Sequence, residues 1–411
     1  MKNFYFFMLL LFISFFTLSM VNFVEPEITQ WRGDQRDGKY NEKGLLKSWP
    51  ANGPLLLWSN DSIGNGYGSP AITEDRIYIQ GEIDSIGYLF AFDLKGKVVW
   101  KSVYGKEWME NYTGSRSTPT VVDNLIYTCS GMGDIACFDK EKGNKIWSKN
   151  LVTDFNGINN RFGFTESLLI DGNILYATPG GKDTNMIALN RMNGELKWKA
   201  KGKSQVSAFC SPMLIQLPKR KIIVTFSFSE FLGFDAKDGN LLWSQSQDTN
   251  CDIHANTAVY ENGFIYYAAG CGNGMVKLQL SEDGSKITEV WRSNELINYF
   301  SGFININNKI FAADARKKKW VSIDATSGKL LDSLNFNKGV SIYADSMLYL
   351  YNEKGSIGLL NPFAEKMDIV SSFKISKGSR EHFTHPVIKN GYLYVRHGES
   401  LMVFDIRKNR F

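Results

Sequence analysis

Polar and aromatic side chains gather in two long segments, 101–117 and 148–163, that separate apolar runs of the chain. Aromatic, amide and guanidinium groups are the groups with which proteins bind carboxylates, peptides and sugars. These segments and the residues that enter later apolar runs supply the predicted ligand-binding residues, which are Trp108, Tyr112, Arg116, Asn159, Arg161, Glu166, Asp252, His254 and Tyr299. The alternative is that these groups only fill space and satisfy one another's hydrogen bonds.

Acidic residues in the same segments raise the question of catalysis. Glu107, Glu110, Glu166 and Asp252 could form the paired carboxylates of a glycan-processing enzyme, but the sequence does not give the separations on which that mechanism depends. The chain contains no Gly-x-Ser-x-Gly elbow, no zinc-protease histidine pair and no EF-hand loop. We therefore assign no catalytic residue and favour a protein that is not an enzyme, with glycan processing as one alternative.

Histidines and a metal site are the next candidates. His254 is one of four histidines in the chain, and we expect it to have a structural role. His382 and His385 flank a two-residue Phe-Thr step, a spacing that permits shared metal ligation, but the sequence offers no third ligand. We therefore predict no metal site.

A repeated phrase predicts the elements that must position these groups. A strand ends in an Asp or Asn turn, Gly follows, and a fourth strand then carries Trp. Copies of this sequence motif end at tryptophans that lie 45 to 51 residues apart, namely Trp100, Trp147, Trp198, Trp243 and Trp291. Self-similarity at this period is typical of repeat architectures built from four-stranded units.

Eight hairpins can be counted along the chain, several with Asn-Gly or Asp-Gly turns that require positive φ. The eighth unit ends after the strand Leu401–Asp405, whereas Leu55–Trp58 has the pattern of a fourth strand without its unit. We predict an all-β fold, an eight-bladed β-propeller of four-stranded antiparallel sheets, with the N-terminal strand completing the last blade. A seven-bladed ring is the alternative.

Cysteine positions follow from this assignment. Cys251 and Cys271 fall in two loops of the same predicted face, so a disulfide between them is one hypothesis, and two free thiols are the alternative. Cys129 and Cys137 flank a turn, taken as two residues long, that would point them to opposite faces of the sheet, and we expect both to be buried thiols.

The N-terminus has the character of a targeting segment. An apolar stretch follows Lys2 and ends before Glu25, which predicts a signal peptide or N-terminal anchor at 1–24, a lead-in segment at 25–54 and the propeller at 55–411. We expect an exported protein, periplasmic or extracellular, touching a membrane only through an uncleaved N-terminal segment. The net charge of +5 gives no argument for nucleic acid, and we expect a monomer.

The spacing Ala-x-Asp-x-x-x-Gly-x-x-x-Trp resembles that of the quinoprotein-like (PQQ-repeat) propeller family, in its secreted bacterial type. Cys137–Trp147, Ala188–Trp198 and Gly233–Trp243 match it, and the opening Trp31-Arg32-Gly33-Asp34 looks like the lead-in of such proteins. The family contains enzymes that place PQQ over a disulfide between adjacent cysteines and hold calcium with Glu, Asn and Asp. This chain has no adjacent cysteine pair, so the resemblance favours the non-enzymatic branch.

The resemblance and the residues together favour a scaffold or binding module that takes a protein, peptide or glycan on its loop face, with no cofactor. The alternative is a PQQ- and calcium-dependent oxidoreductase acting on alcohols or sugars. Under that alternative, the polar groups of interest are Arg116, Glu166, Asp252 and Asn256.

Overall fold

The chain folds into 34 strands within the described residues, which are 28–203, 206–247, 253–270 and 273–408 of a computed structural model. Three strands precede the first repeat and are β1 (Ile28–Thr29), β2 (Lys39–Tyr40) and β3 (Leu55–Asn60). The predicted signal peptide or N-terminal anchor at 1–24 lies outside the described residues.

The first four blades follow in chain order. Blade 1 consists of β4 (Ala71–Ile72), β5 (Ile77–Ile83), β6 (Ile86–Phe92) and β7 (Val98–Lys106). Blade 2 consists of β8 (Thr120–Val122), β9 (Leu125–Cys129), β10 (Asp134–Asp139) and β11 (Lys145–Asn150). Blade 3 consists of β12 (Leu169–Asp171), β13 (Ile174–Ala177), β14 (Met186–Asn190) and β15 (Leu196–Ala200). Blade 4 consists of β16 (Met213–Leu217), β17 (Arg220–Phe226), β18 (Glu230–Asp235) and β19 (Leu241–Ser246).

The last four blades complete the ring. Blade 5 consists of β20 (Val259–Glu261), β21 (Phe264–Ala269), β22 (Gly274–Leu280) and β23 (Ile287–Ser293). Blade 6 consists of β24 (Phe303–Ile306), β25 (Lys309–Asp314), β26 (Lys319–Asp324) and β27 (Leu330–Leu334). Blade 7 consists of β28 (Gly339–Ala344), β29 (Met347–Asn352), β30 (Ser356–Leu360) and β31 (Ile369–Lys374). Blade 8 consists of β32 (Val387–Lys389), β33 (Tyr392–His397), β34 (Ser400–Asp405) and the early strand β3.

The predicted eight-bladed propeller is confirmed. Each blade is an antiparallel meander, and its first strand is the innermost. β3 pairs antiparallel with β34, from Leu55 opposite Asp405 to Asn60 opposite Leu401. The N-terminal strand therefore closes the last blade, as expected from the orphan Leu55–Trp58, and the seven-bladed alternative is excluded.

The repeated Gly and Trp meet across neighbouring blades. A Cβ added to Gly96 would lie 2.6 Å from the Trp58 ring, and one added to Gly143 would lie 2.4 Å from the Trp100 ring. Each indole N–H also donates to a backbone carbonyl of that same turn, as Trp147 does to Arg191 O at 2.8 Å. Only glycine allows this approach, which explains why the two residues recur together.

Apolar side chains fill the gaps between blades. Tyr78 of blade 1 packs with Phe138 of blade 2, and the same holds for Trp320 of blade 6 with Leu350 of blade 7. Within the part of the chain that the structure describes, no helix is long and apolar enough to span a membrane.

The thiols of Cys129 and Cys137 are buried, as predicted, but they lie in the same cluster of side chains. The expectation of opposite faces was wrong because Ser130 N donates to Asp134 O, which leaves three residues in the turn instead of two. Cys129 then pairs with Ile135, and Cys137 follows two residues later on the same face.

The lead-in segment enters the central channel. β1 runs antiparallel to β8 on the inner edge of blade 2, and β2 runs parallel to β28 on the inner edge of blade 7. Residues 28–40 therefore run through the channel toward the end at which the inner strands begin. They turn there and run back along the opposite side of the channel. We name residues 28–40 the N-terminal hairpin, and we name the end at which the inner strands begin the mouth.

Candidate functional site

A belt of hydroxyl groups lies along the mouth at the entrances of the inner strands of blades 1 to 5. Ser69 N donates to Thr118 Oγ1 at 3.0 Å, Thr118 N donates to Ser167 Oγ at 2.9 Å, and Ser167 N donates to Ser211 Oγ at 2.9 Å. Thr257 continues the belt by donating its hydroxyl to Ser211 O at 2.8 Å. These hydrogen bonds hold the beginnings of neighbouring inner strands level with one another along the channel axis. They therefore also fix the positions of the residues that precede each strand at the mouth.

The residue two positions before each belt position points into the mouth. These residues are Tyr67, Arg116, Thr165, Phe209, Ala255, Phe300 and Phe383, the last two preceding Gly302 and His385, which occupy the belt position in blades 6 and 8. The repeat therefore builds the wall of one central cavity from seven of the eight blades.

The cavity has a volume of about 330 Å³. Tyr112, Phe162, Ile253 and Tyr299 from the longer loops extend its wall. The rings contact one another around the mouth, with centroids 5.4 Å apart for Phe162 and Phe209, 5.8 Å for Tyr112 and Phe383, and 4.9 Å for Phe300 and Phe383. The result is an aromatic collar that is open to solvent.

The N-terminal hairpin forms the floor of the cavity. The Trp31 ring meets the His385 ring edge-on, with centroids 5.5 Å apart. Arg32 Nη1 lies 2.8 Å from His385 Nε2, and Arg32 Nη2 donates to Phe303 O at 3.0 Å. A Cβ on Gly302 would lie 1.8 Å from Arg32 Nη1, so glycine at this belt position admits the arginine.

Arg36 holds the other side of the hairpin. Its Nη1 donates to Ser167 O at 2.8 Å and to Pro212 O at 3.2 Å, and its Nη2 donates to Leu168 O at 2.5 Å. Burial lowers the pKa of Arg36 to about 9 and that of Arg32 to about 10, so both guanidinium groups remain charged at neutral pH. The hairpin thus places two cations beneath an aromatic cavity.

Three of the predicted ligand-binding residues, Tyr112, Arg116 and Tyr299, line the cavity. Arg116 is also a clamp for its loop, because it donates to Phe162 O at 2.7 Å, Tyr112 O at 2.8 Å, Asn111 O at 2.7 Å and Gly114 O at 3.0 Å. Most of the N–H donors of Arg116 therefore already bind backbone carbonyls.

Three others lie in the surrounding loops rather than on the cavity wall. Trp108 is buried and donates to Asn111 Oδ1 at 3.1 Å. Asn159 donates to Gly131 O at 3.4 Å, and the guanidinium of the exposed Arg161 sits 5.0 Å from the centre of the Phe162 ring. These residues hold the loops that carry the collar.

Glu166 and His254 are buried beside the cavity. Glu166 accepts from Thr178 N and Thr178 Oγ1, both at 2.9 Å, and burial raises its pKa to about 7. His254 stacks on Phe226, with centroids 5.2 Å apart. Asp252, Cys251 and Cys271 lie outside the described residues, so their predicted roles, like ligand binding by the other residues named, stay predictions.

The acidic residues considered for catalysis lie in different surroundings. Glu107 is buried, accepts from the Tyr104 hydroxyl and from Gly131 N at 2.8 Å, and burial raises its pKa to about 7. Glu110 is exposed on the same loop. Among the residues that the structure describes, no three His, Cys, Asp or Glu side chains form a group able to hold a metal ion.

The two neighbouring histidines have different partners. His382 Nδ1 lies 2.5 Å from the Tyr351 hydroxyl, and its ring stacks on His397 with centroids 3.7 Å apart. His385 instead faces Arg32 in the channel. The short spacing in sequence does not bring the two rings to one ligand.

Sequence reasoning missed most of the collar. Tyr67, Phe209, Phe300 and Phe383 of the collar, and Trp31 of the floor, were not predicted as ligand-binding residues, yet all line the cavity. The first four share one position in the repeat, two residues before the belt. Alignment of the eight repeats on that position would have found them.

PQQ, the cofactor of the family's enzymes, does not fit the described lining. The calcium that the family's enzymes hold beside PQQ needs carboxylate and amide oxygens as ligands. The described lining contains no carboxylate and no amide side chain, so it offers no such ligands. We derive no chemistry through this cofactor.

Comparisons with known proteins agree with the architecture. The family profile described as the outer membrane protein assembly factor BamB matches residues 85–333, more than half of the 411-residue chain. The chain belongs to this PQQ-repeat propeller family. No curated protein sequence matches the chain.

Solved structures extend the match over most of the ring. BamB from Moraxella catarrhalis superposes with a TM-score of 0.63 at 12% identity, covering 86% of this chain and 99% of that one. The computationally designed Ika8 protein gives 0.60 at 11% identity, covering 85% and 99%. Quinohemoprotein alcohol dehydrogenase from Comamonas testosteroni gives 0.50 at 12% identity, covering 93% and 81%. At these identities the likeness concerns the fold.

Proposed function

We propose that the protein is an exported, non-catalytic propeller that binds a polypeptide partner through the aromatic cavity at the mouth of its channel. The observation that carries this proposal is the cavity itself: seven blades supply its wall, and the N-terminal hairpin supplies its floor. Export is supported by the apolar N-terminal stretch of the sequence.

The chemistry of the wall favours binding over turnover. Aromatic side chains give a large contact area at low cost in conformational entropy and dominate protein interfaces. The described lining holds no carboxylate, and the nearby Glu107 and Glu166 are buried with backbone and hydroxyl groups. A polypeptide segment that inserts apolar side chains satisfies this surface.

The family supports a protein partner. Its profile is described as an outer membrane protein assembly factor, and BamB itself has been solved with the same ring. We propose that this chain likewise acts as a scaffold in protein assembly, with partner contacts made on its mouth.

A position-specific crosslink tests the proposal. A photoreactive amino acid replaces Tyr112, which is 49% exposed at the mouth, or Met192, which is 50% exposed in a turn at the opposite end of the ring. We expect discrete adducts with one partner from position 112 in the exported fraction, lost when Ala255→Trp fills the cavity. Equal adducts from both positions, or none from 112, would contradict the proposal.

The oxidoreductase alternative has its own test. The full chain is mixed with PQQ and Ca²⁺ and assayed for dye reduction on alcohols and sugars. We expect no change in the quinone spectrum and no turnover. Turnover that is lost in Ala255→Trp would instead identify the cavity as an active site.

A further inference from the structure

The floor of the cavity offers hydrogen-bond donors. Because a guanidinium only donates, His385 Nε2 must accept from Arg32 Nη1, 2.8 Å away, and the ring proton must lie on Nδ1. Ser301 O lies 3.1 Å from the same Nε2 and would require a proton there, but the fixed charge of Arg32 decides the tautomer. No acceptor among the described residues takes the Nδ1 proton.

Two belt hydroxyls add to these donors. Ser167 Oγ accepts from Thr118 N, and Ser211 Oγ accepts from Ser167 N, each at 2.9 Å. Both residues line the cavity, and neither hydroxyl proton is donated to an acceptor within the described chain. A ligand that enters the cavity therefore meets three hydrogen-bond donors, which are the hydroxyls of Ser167 and Ser211 and the Nδ1–H of His385.

Four backbone carbonyl oxygens of the same region already accept from arginine side chains, although Ser301 O beside His385 does not. Arg36 binds the carbonyls of Ser167, Leu168 and Pro212, and Arg32 binds that of Phe303. The two arginines thus remove acceptors from the floor and place positive charge beneath it. Neutral sugars, whose hydroxyls need acceptors as well as donors, match this floor poorly, whereas a carboxylate matches it well.

The aromatic wall determines the size and the apolar character of the part of the ligand that does not contact the floor. The collar of Tyr67, Tyr112, Phe162, Phe300 and Phe383 surrounds a volume of about 330 Å³, near the lower end of the roughly 300–1,000 Å³ of ligand pockets. The N-terminal hairpin lies beneath the cavity, so we take the mouth as the end from which a chain enters. Its size suits a single aromatic residue.

We propose that the cavity binds the carboxyl-terminal residue of an extended polypeptide, with an aromatic side chain against the collar and the terminal carboxylate on Ser167, Ser211 and His385. The preceding residues of that polypeptide lie across the rim between Tyr67 and Tyr112. This inference rests on the proposed function and names the feature of the partner that the mouth recognises.

Calorimetric titration of the full chain with four probes tests it. The probes are an acetylated Gly-Gly-Ser-Phe peptide with a free carboxylate, the same peptide as its amide, acetyl-Phe-Gly-Gly-Ser with a free carboxylate, and N-acetylphenylalanine. We expect the first to bind at least about tenfold more tightly than each of the others, because it alone joins the ring, the terminal charge and the chain. Equal binding of acid and amide would overturn the inference, and equal binding of N-acetylphenylalanine would assign the site to a small aromatic acid.

Two matched variants separate recognition from folding. Ser211→Ala removes a floor hydroxyl, whereas Thr118→Ala removes an equivalent belt acceptor that does not line the cavity. We expect the preference for acid over amide to fall severalfold in Ser211→Ala and to stay unchanged in Thr118→Ala. The same loss in both variants would show that the belt acts only through the fold.

The outcomes also distinguish this inference from the proposed function. Crosslinks from position 112 without any preference for a terminal carboxylate leave the binding module standing and remove this inference. Neither crosslinks nor peptide binding would remove both.

Discussion

The indole N–H of Trp58 donates to the carbonyl oxygen of Leu94 at 3.1 Å. Trp58 lies on β3, the N-terminal strand of blade 8, and Leu94 lies in the last turn of blade 1. The contact therefore joins the two blades at which the ring begins and ends. It repeats the contact made at other blade junctions, so the closure uses the same chemistry as the rest of the ring.

Replacement of Gly96 tests how much this junction contributes. Gly96 has φ +84°, and a Cβ there would lie 2.6 Å from the Trp58 ring. Gly96→Ala must meet both the left-handed backbone penalty, about 1–2 kcal/mol, and a clash of about 1–3 kcal/mol. We expect a loss of about 2–5 kcal/mol in the free energy of unfolding, measured with urea.

Gly263 provides the matched control. It has the same φ of +84°, but nothing lies within 4 Å of its Cβ position. Gly263→Ala should therefore show the backbone penalty alone. If the two variants lost the same free energy, the Trp–Gly contact would not hold the closure.

The ring was predictable because its signals are local. The Gly and Trp of each repeat mark the positions at which neighbouring blades contact each other. The eighth unit lacks a fourth strand, and Leu55–Trp58 supplies it. The turn after Cys129 was mispredicted because a one-residue difference in turn length reverses the face of every later side chain.

The site was harder to predict because it is assembled across the ring. Tyr67 and Phe383 are far apart in sequence but have ring centroids 5.7 Å apart. Arg36 lies in the lead-in segment predicted at 25–54, and nothing local indicated that it reaches Ser167 O and Pro212 O inside the channel. Contacts of this kind depend on the closed ring, which no single repeat encodes.

Arg36 should be essential for seating the N-terminal hairpin. Arg36→Met leaves the carbonyls of Ser167 and Pro212 without this donor, whereas Leu168 O still accepts from Thr120 Oγ1, and each unsatisfied group costs about 1–3 kcal/mol. We expect a loss of about 2 kcal/mol or more in unfolding free energy, together with faster proteolysis of the N-terminal hairpin. Arg316→Met, which changes an exposed arginine, should be close to neutral, and similar losses in both variants would refute the seating role.

Glu166 should make stability depend on pH. Its pKa is raised by burial from 4.5 to about 7, so between these values the folded protein keeps a proton that the unfolded chain has lost. The free energy of unfolding contributed by this group therefore falls as pH rises from 4.5 to 7, by about 3 kcal/mol. Glu166→Gln should remove that fall while its amide still pairs with Thr178.

The measurement must be a difference between proteins. Burial, followed by the charge of His397, lowers the pKa of His382 to about 4, so its contribution rises with pH between 4 and 6.5 and opposes that of Glu166. Urea unfolding is therefore measured for Glu166→Gln and for the wild type at pH 5 and pH 8. The contribution of His382 is the same in both proteins and cancels in the difference. We expect the variant to gain relative stability at pH 8, and the exposed Glu141→Gln to show no such gain.

Thiol labelling tests the predicted disulfide between Cys251 and Cys271. The chain has five cysteines, and Cys129, Cys137 and Cys210 are buried free thiols. Burial raises the pKa of Cys137 to about 12 and that of Cys210 to about 11, which suppresses the reactive thiolate. We expect no label on the native protein, three labels after unfolding without reductant, and five after unfolding with reductant. Five labels without reductant would show that Cys251 and Cys271 are not joined, because a disulfide withholds both sulfur atoms until it is reduced.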